Sequence, residues 1–458
     1  MNEALTQVLA AVEAWERRFR PFSRHPATHV DAMRLESALA TYAQRLEGNY
    51  PFFHPDYAGQ MLKPPHPVAQ LAYAAAQRIN PNNHALDGGP PTSEMEKEVV
   101  AKIAAAVGLP FGGIGHLTSS GTLANLEALF IAREEHPDKG ILASEMAHYT
   151  HSRMAHLLRM PFETVPADLQ GRMDVNALRD RLALGRIGTV VVTTGTTGMG
   201  AVDPLHEIIP LCREFGARVH VDAAYGGFFA ILARGNHPDL PPHSRDAFLA
   251  LGQADSVALD PHKHGLQPYG CGMVYFSSSR IGKHYKHDSP YTYFSSTELH
   301  LGEISLECSR AGAAAGALWL TMEVLPPEPY AGLGPILAAC LRAARTWNEA
   351  LSSADFLLDL TPEPDLDIVL YAPTASTYEQ LDARSAWLFD EAMRVPDPMF
   401  LALYTMKHEW ISTQLIFLEG KIMSPRILRS VLMKPEHEYE APSIVERLNR
   451  LVARELNL

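Results

Sequence analysis

The stretch Ser256-Val-Ala-Leu-Asp-Pro-His-Lys-His-Gly-Leu-Gln-Pro-Tyr-Gly-Cys-Gly272 decides how the rest of the chain is understood. It opens as a short apolar run suited to a buried strand. Pro261 is expected to end that strand, because proline fixes φ and offers no ladder N–H. Lys263 then stands just past the strand end, bracketed by His262 and His264, ahead of a loop carrying Pro268, Gly270 and Gly272. Cationic neighbours and poor solvation both weaken an amine's preference for its charged form. A neutral lysine amine can attack a carbonyl carbon and form a Schiff base. A solvated lysine in a polar turn satisfies the same residues, so this stretch alone leaves both readings open.

Working outward, short β-rich runs at 141–144, 189–194, 218–222, 256–259 and 273–276 alternate with helical stretches. That alternation predicts an α/β domain built on a mostly parallel sheet, with ligands at the carboxyl ends of its strands. Ser93-x-x-Glu96 has the form of a capping box and predicts a helix from there to Val107. Upstream, Leu5, Val8, Leu9, Val12 and Trp15 fall at helical spacing, and further helices are expected over 30–46 and 67–78. Their apolar stripes would be exposed in a monomer, which predicts packing against a partner subunit. The Pro-rich turn at 326–329 marks a boundary. Beyond it, strand-like runs at 366–371 and 401–405, a helix over 378–393 and a final helix over 441–456 suit a smaller α+β domain. The expected division is 1–88, an N-terminal helical segment; 89–325, the large domain; and 326–458, the small one.

Composition narrows the function classes. A net charge of −13 argues against nucleic acid or an anionic membrane as the main partner. The four cysteines are widely spaced with no C-x-x-C pair, which suits a reducing compartment. No signal-peptide core and no run of membrane-spanning length is visible, so a cytoplasmic location is expected.

Four further motifs sit at predicted strand ends. Asp222, in His220-Val-Asp-Ala-Ala-Tyr-Gly-Gly227, would be poorly solvated and in need of a cationic partner such as a protonated pyridinium nitrogen. An aspartate capping the turn at Gly226-Gly227 fits the residues equally. Ala224 would let a flat ring lie close to the chain. In Thr118-Ser-Ser-Gly-Thr-Leu-Ala-Asn125, the residues Ser120, Gly121 and Thr122 would open a helix whose N–H groups and dipole favour a phosphate; an ordinary N-cap is the simpler alternative. Thr193-Thr-Gly-Thr-Thr-Gly198 is a polar turn after another strand. His148, His151 and His156 cluster in sequence, but offsets of three and eight do not make a helical zinc pair, and no metal is expected.

Taken in this order, the motifs resemble those of the group II pyridoxal-phosphate amino-acid decarboxylases, most of all the bacterial tyrosine and aromatic amino-acid enzymes. The resemblance runs from about Tyr50 to Met433 and departs at Leu123, where the family usually has glutamate. It implies the aspartate-aminotransferase-like fold (fold type I), with a mostly parallel seven-stranded sheet in the large domain. It implies pyridoxal 5'-phosphate as cofactor, carried by Lys263 as a Schiff base, with Asp222 on the ring nitrogen, His148 stacked on the ring and Thr197 near its phenolic oxygen. Ser120, Gly121, Thr122, Ala224 and His262 complete the expected cofactor set. The family's loop tyrosine, which returns a proton to the substrate carbon, corresponds to Tyr291 or, failing that, Tyr293. Gln60, Tyr57, Arg310 and Tyr269 are the expected substrate-side residues, at a site completed by the partner of a homodimer. The implied activity is decarboxylation of an L-amino acid, aromatic by preference. The rivals are an acidic-amino-acid decarboxylase, an aldehyde synthase, a metal-dependent hydrolase and a non-catalytic cofactor-binding protein.

Overall fold

The protein is seen here as a computed structural model that describes residues 2–285, 305–361, 363–412, 420 and 422–456. Seven strands make the large sheet: β1 (Ile114–Thr118), β2 (Gly140–Ser144), β3 (Phe162–Val165), β4 (Ile187–Thr193), β5 (Arg218–Ala223), β6 (Ser256–Leu259) and β7 (Gly272–Phe276). Their order is β1-β7-β6-β5-β4-β2-β3. β7 runs antiparallel to both neighbours, and the remaining pairs are parallel. Parallel strands covered on both faces must be apolar on both, and every residue of β2, β4 and β6 is buried. Val190, Val192, Val219 and Val221 belong to one large core cluster, and Ile141, Ala143 and Val191 to another on the opposite face.

The expectation for 256–259 matches β6 residue for residue, and the other four strand expectations fall within one or two residues of β2, β4, β5 and β7. The helix over 93–107 starts earlier than its supposed capping box. It spans Pro90–Val107 with Gly89 as N-cap and proline in the first turn, where the missing N–H costs nothing. Ser93 is therefore buried inside the helix, and Glu96 turns inward rather than back to the cap.

The small domain is a four-stranded antiparallel sheet in the order Leu357–Asp359, Ile368–Pro373, Arg426–Val431, Ala402–Thr405. Helices Leu333–Ser352, Tyr378–Ala392 and His437–Glu455 cover it. Trp347, Leu388, Leu428 and Leu448 meet in its core. At the other end of the chain, helices Asn2–Glu16 and Ala32–Leu46 bury no residue. Helix Pro67–Gln77 packs through Ala69, Ala72 and Ala75 against the small-residue helix Gly312–Val324.

Candidate active site

The carboxyl ends of β1, β2, β4, β5 and β6 open on the same side of the sheet, and the chemistry-bearing residues collect there. Asp222 is the penultimate residue of β5, in register with Thr193 of β4 and Ala258 of β6. After β6, Asp260 and Pro261 start a turn closed by Lys263 N–H on the Asp260 carbonyl and by Gln267 N–H on the Pro261 carbonyl. The turn aims Lys263 back over the sheet. One cavity is lined by Gly121, Thr122, His148, Thr197, Asp222, Ala224 and Lys263. Asn125, Thr193, Tyr225 and Asp260 also line it, and sequence reasoning did not single them out.

Asp222 is buried, which opposes its charge. A hydrogen bond with His151 Nε2 at 2.8 Å and the nearby Lys263 ammonium override that penalty and hold the carboxyl well below its usual range. Its other oxygen accepts the Ala224 N–H at 3.2 Å. Lys263 Nζ lies 3.0 Å from Asp260 Oδ2, while Asp260 Oδ1 is buried with no hydrogen-bond partner among the described residues. His148 is half-buried and accepts the Thr150 N–H on Nδ1 at 3.3 Å. Desolvation lowers its pKa, with Asp222 acting the other way, so the ring is neutral at pH 7.

Ser120 caps the helix Gly121–Glu135, its hydroxyl accepting the Leu123 N–H at 3.3 Å. Only glycine fits at 121, because a Cβ there would stand 2.6 and 2.7 Å from the two Asp260 carboxylate oxygens. The helix N-terminus and the lysine turn thus touch. The helix end, suited to an anion, and the Lys263 amine, suited to a carbonyl carbon, therefore line one small space.

The chain matches the family model described as the pyridoxal-dependent decarboxylase conserved domain over residues 54–356, about two thirds of its length. It belongs to the pyridoxal-dependent decarboxylases. Such an enzyme is a carboxy-lyase with pyridoxal phosphate as its cofactor, and this cavity suits that group. A lysine amine, a buried ionised carboxylate near the end of the central strand and a helix N-terminus would supply its aldehyde, ring nitrogen and phosphate with partners. Among relatives, the decarboxylase sequence is 28% identical over 329 residues to a probable L-tyrosine/L-aspartate decarboxylase of Methanothermobacter thermautotrophicus, covering 71% of this chain and 85% of that one. It is 31% identical over 325 residues to the L-2,4-diaminobutyrate decarboxylase of Rhizobium meliloti, covering 67% and 63%. In fold it resembles mouse CSAD (TM-score 0.78, 21% identity, 99% of this chain and 92% of that one). It also resembles Oryza sativa TDC with PLP and tryptamine (TM-score 0.78, 16% identity, 98% and 97%).

Other expected site residues lie elsewhere. His262 is not among the cavity-lining residues; it donates from Nδ1 to the Cys271 carbonyl at 2.8 Å, holds Nε2 3.5 Å from Asp260 Oδ2 and packs on Tyr269. Tyr269 is exposed, its hydroxyl on the Met61 carbonyl at 3.3 Å. Tyr57 is buried in an aromatic cluster with Tyr50, Phe52 and Phe400. Arg310, expected on the substrate side, is a buried structural cation. It pairs with Glu96 at 2.5 Å and donates to the Leu117 and Asn83 carbonyls at 2.9 and 2.6 Å. Tyr291 and Tyr293 lie outside the described residues. Gln60 meets a cation that sequence reasoning passed over: Arg429 of the small domain donates to Gln60 Oε1 at 2.5 Å and to the Thr197 carbonyl at 2.8 Å. No group of potential metal ligands occurs among the described residues.

Proposed function

We propose that the cavity between Lys263 and Asp222 is where this chain decarboxylates an L-amino acid, with an aromatic substrate first in line. The observation that carries the reading is that Lys263, Asp222, His148 and the start of the helix Gly121–Glu135 line one space. Bound pyridoxal phosphate supplies an electron sink for the pair left behind when carbon dioxide departs. The protein's part is to place and charge the groups around it. Lys263 would hold the aldehyde end of the cofactor through its amine. Asp222 keeps a proton on the ring nitrogen. His148 would pack against the ring, and Ala224 would leave room for it. Tyr291 returns the proton to the substrate carbon. The unburied faces of helices Asn2–Glu16 and Ala32–Leu46 support a homodimer, and Gln60 and Tyr57 then belong to a site shared between subunits. No helix among the described residues is long and apolar enough to cross a membrane; a cytoplasmic location remains part of the proposal.

A second substrate class is favoured by Arg429. Its guanidinium is buried, makes no ion pair with a carboxylate among the described residues, and leaves Nε without a hydrogen-bond partner there. A buried cation of this kind is costly unless something anionic meets it. An acidic amino acid would supply that group, and the named relatives include tyrosine/aspartate enzymes. Carbon dioxide release should be measured over a panel of L-amino acids: tyrosine, DOPA, tryptophan, phenylalanine, aspartate, glutamate and 2,4-diaminobutyrate. Arg429→Met should leave aromatic turnover within about threefold and reduce acidic-substrate turnover at least about tenfold, the cost of one charge-assisted hydrogen bond. Amine as product supports the reading, and aldehyde with ammonia replaces it with an oxidative variant. An absence of turnover on the whole panel overturns it.

A further inference from the structure

His151 is absorbed by neither the cofactor set nor the substrate set, and it belongs to no group of potential metal ligands among the described residues. It sits in helix Thr150–Leu157, one turn beyond His148, with its side chain fully buried. Nε2 is 2.8 Å from Asp222 Oδ2. Nδ1 is also buried and has no hydrogen-bond partner among the described residues. This asymmetry fixes the proton. An N–H on Nδ1 would be a buried donor with nothing to meet, whereas an N–H on Nε2 points straight at a carboxylate. The groups facing this pair are few. His220, from β5, stands with its ring 6.4 Å away and edge-on, and is itself held between Asn125 Oδ1 at 2.7 Å and Ser256 Oγ at 2.9 Å. His148 and Lys263 act on Asp222 or His151 through space from the cavity side.

We propose that His151 is a positioning residue for Asp222: a neutral imidazole whose Nε2–H donates to the carboxylate, keeps it charged and fixes which lone pairs face the pyridine nitrogen. A carboxylate offers about four acceptor sites. His151 and the Ala224 N–H take one each, on different oxygens, so the group is clamped from two sides while the rest stays available to the ring. The inference rests on the proposed placement of the cofactor nitrogen over Asp222. It adds that the strength of the electron sink is set from the helix behind it.

The test compares holoenzymes of the wild type, His151→Phe and His151→Gln, reading the cofactor absorbance as a function of pH and the dissociation constant for added pyridoxal phosphate. Phenylalanine keeps a ring but has no donor; the glutamine amide can present an N–H where Nε2 stands. His151→Phe is expected to shift the pH midpoint of the cofactor band by about one unit, weaken cofactor binding about tenfold and lower kcat about 10- to 100-fold with KM within about threefold, the scale of one charge-assisted hydrogen bond. His151→Gln should recover most of each change. An unchanged band, affinity and kcat in His151→Phe would make the residue mere core filling and overturn the inference. So would an equal loss in a folded His151→Gln. If phenylalanine prevents folding, the glutamine variant decides alone, since a wild-type band, affinity and kcat there support the inference and a shifted midpoint with weakened cofactor binding refutes it. A wild type showing no cofactor band at all would instead refute the placement of the cofactor.

Discussion

Replacing Arg310 by methionine separates a structural cation from a substrate-binding one. In the fold it is structural. Its side chain is 5% exposed and that of its partner Glu96 is 1% exposed. Glu96 uses its other bonds to hold the Leu117 N–H at 3.0 Å and the Asn83 amide at 2.7 Å, so the pair ties the start of helix Gly312–Val324 to helix Pro90–Val107 and β1. Removing one partner of a buried ion pair costs about 3–5 kcal/mol, because the other charge is left uncompensated. The pH dependence carries a definite sign. Burial opposes the charge on Glu96, yet Arg310 brings its pKa below the ordinary 4.5. A folded-state value below the unfolded one contributes stability that is full above 4.5 and lost as pH falls through the folded value. Without Arg310, desolvation dominates and the folded value rises above the unfolded one. The variant is then worst off at neutral pH and recovers on acidification. Urea denaturation should therefore show a deficit of about 3–5 kcal/mol at pH 7 that shrinks steadily toward pH 4.5. Adding Glu96→Gln to Arg310→Met should cost less than the sum of the two single changes. A variant of wild-type stability, with a pH-independent midpoint and a KM raised at least about tenfold, would show that Arg310 meets substrate after all.

Lys263→Ala should abolish both carbon dioxide release and the cofactor's absorbance band; surviving turnover would mean a different tether. Gly121→Ala places a methyl within 2.6 Å of Asp260 Oδ1, so it should weaken cofactor binding by at least about tenfold in a titration while leaving the far-ultraviolet circular dichroism unchanged. Tyr291→Phe should divert product from amine toward carbonyl compounds, as quantified by chromatography. An unaltered ratio transfers the proton-donor role to another group, Tyr293 first.

Much of the large domain was legible because its signals are local. Val and Ile runs ended by Pro261 or Gly195 announce buried strands, and a reactive group placed within three residues of a strand end stays near that end after folding. One strand of the large sheet, β3, escaped, and β1 was read only by its end at Thr118. β1 reads Ile-Gly-His-Leu-Thr, a poor strand by composition, yet Gly115 is needed there: a Cβ would meet the Val274 carbonyl of β7 at 2.6 Å. β3 is a four-residue edge strand only partly buried, so its pattern is weak. The helix Leu333–Ser352 was also missed; it follows directly on the prolines of 326–329 and carries Pro335 in its first turn, which break the local helical pattern. Its buried Leu333, Leu337, Leu341, Ala344 and Trp347 do repeat at helical spacing. Ser93-x-x-Glu96 misled for the opposite reason. The local pattern was correct in form, but Pro90 starts a helix at no cost and Glu96 gains more from Arg310 than from a cap.

What spacing does not reveal is who neutralises whom. Asp222 and Lys263 could be named from their own motifs, but their partners His151 and Asp260 are supplied by the fold, and so is the contact between Arg429 and Gln60, 369 residues apart. Arg310 and Arg429 look alike in sequence, each an arginine in an apolar or small-residue setting. Only the fold gives one a buried glutamate and the other an amide and a carbonyl. An arginine already paired has little left to offer a ligand, and an arginine buried without an anion has an unmet requirement. Under the proposed acidic-substrate reading, selection would fall to Arg429 on the small domain's strand Arg426–Val431, which reaches the cavity wall through the Thr197 carbonyl and lies outside the motifs that identify the chemistry.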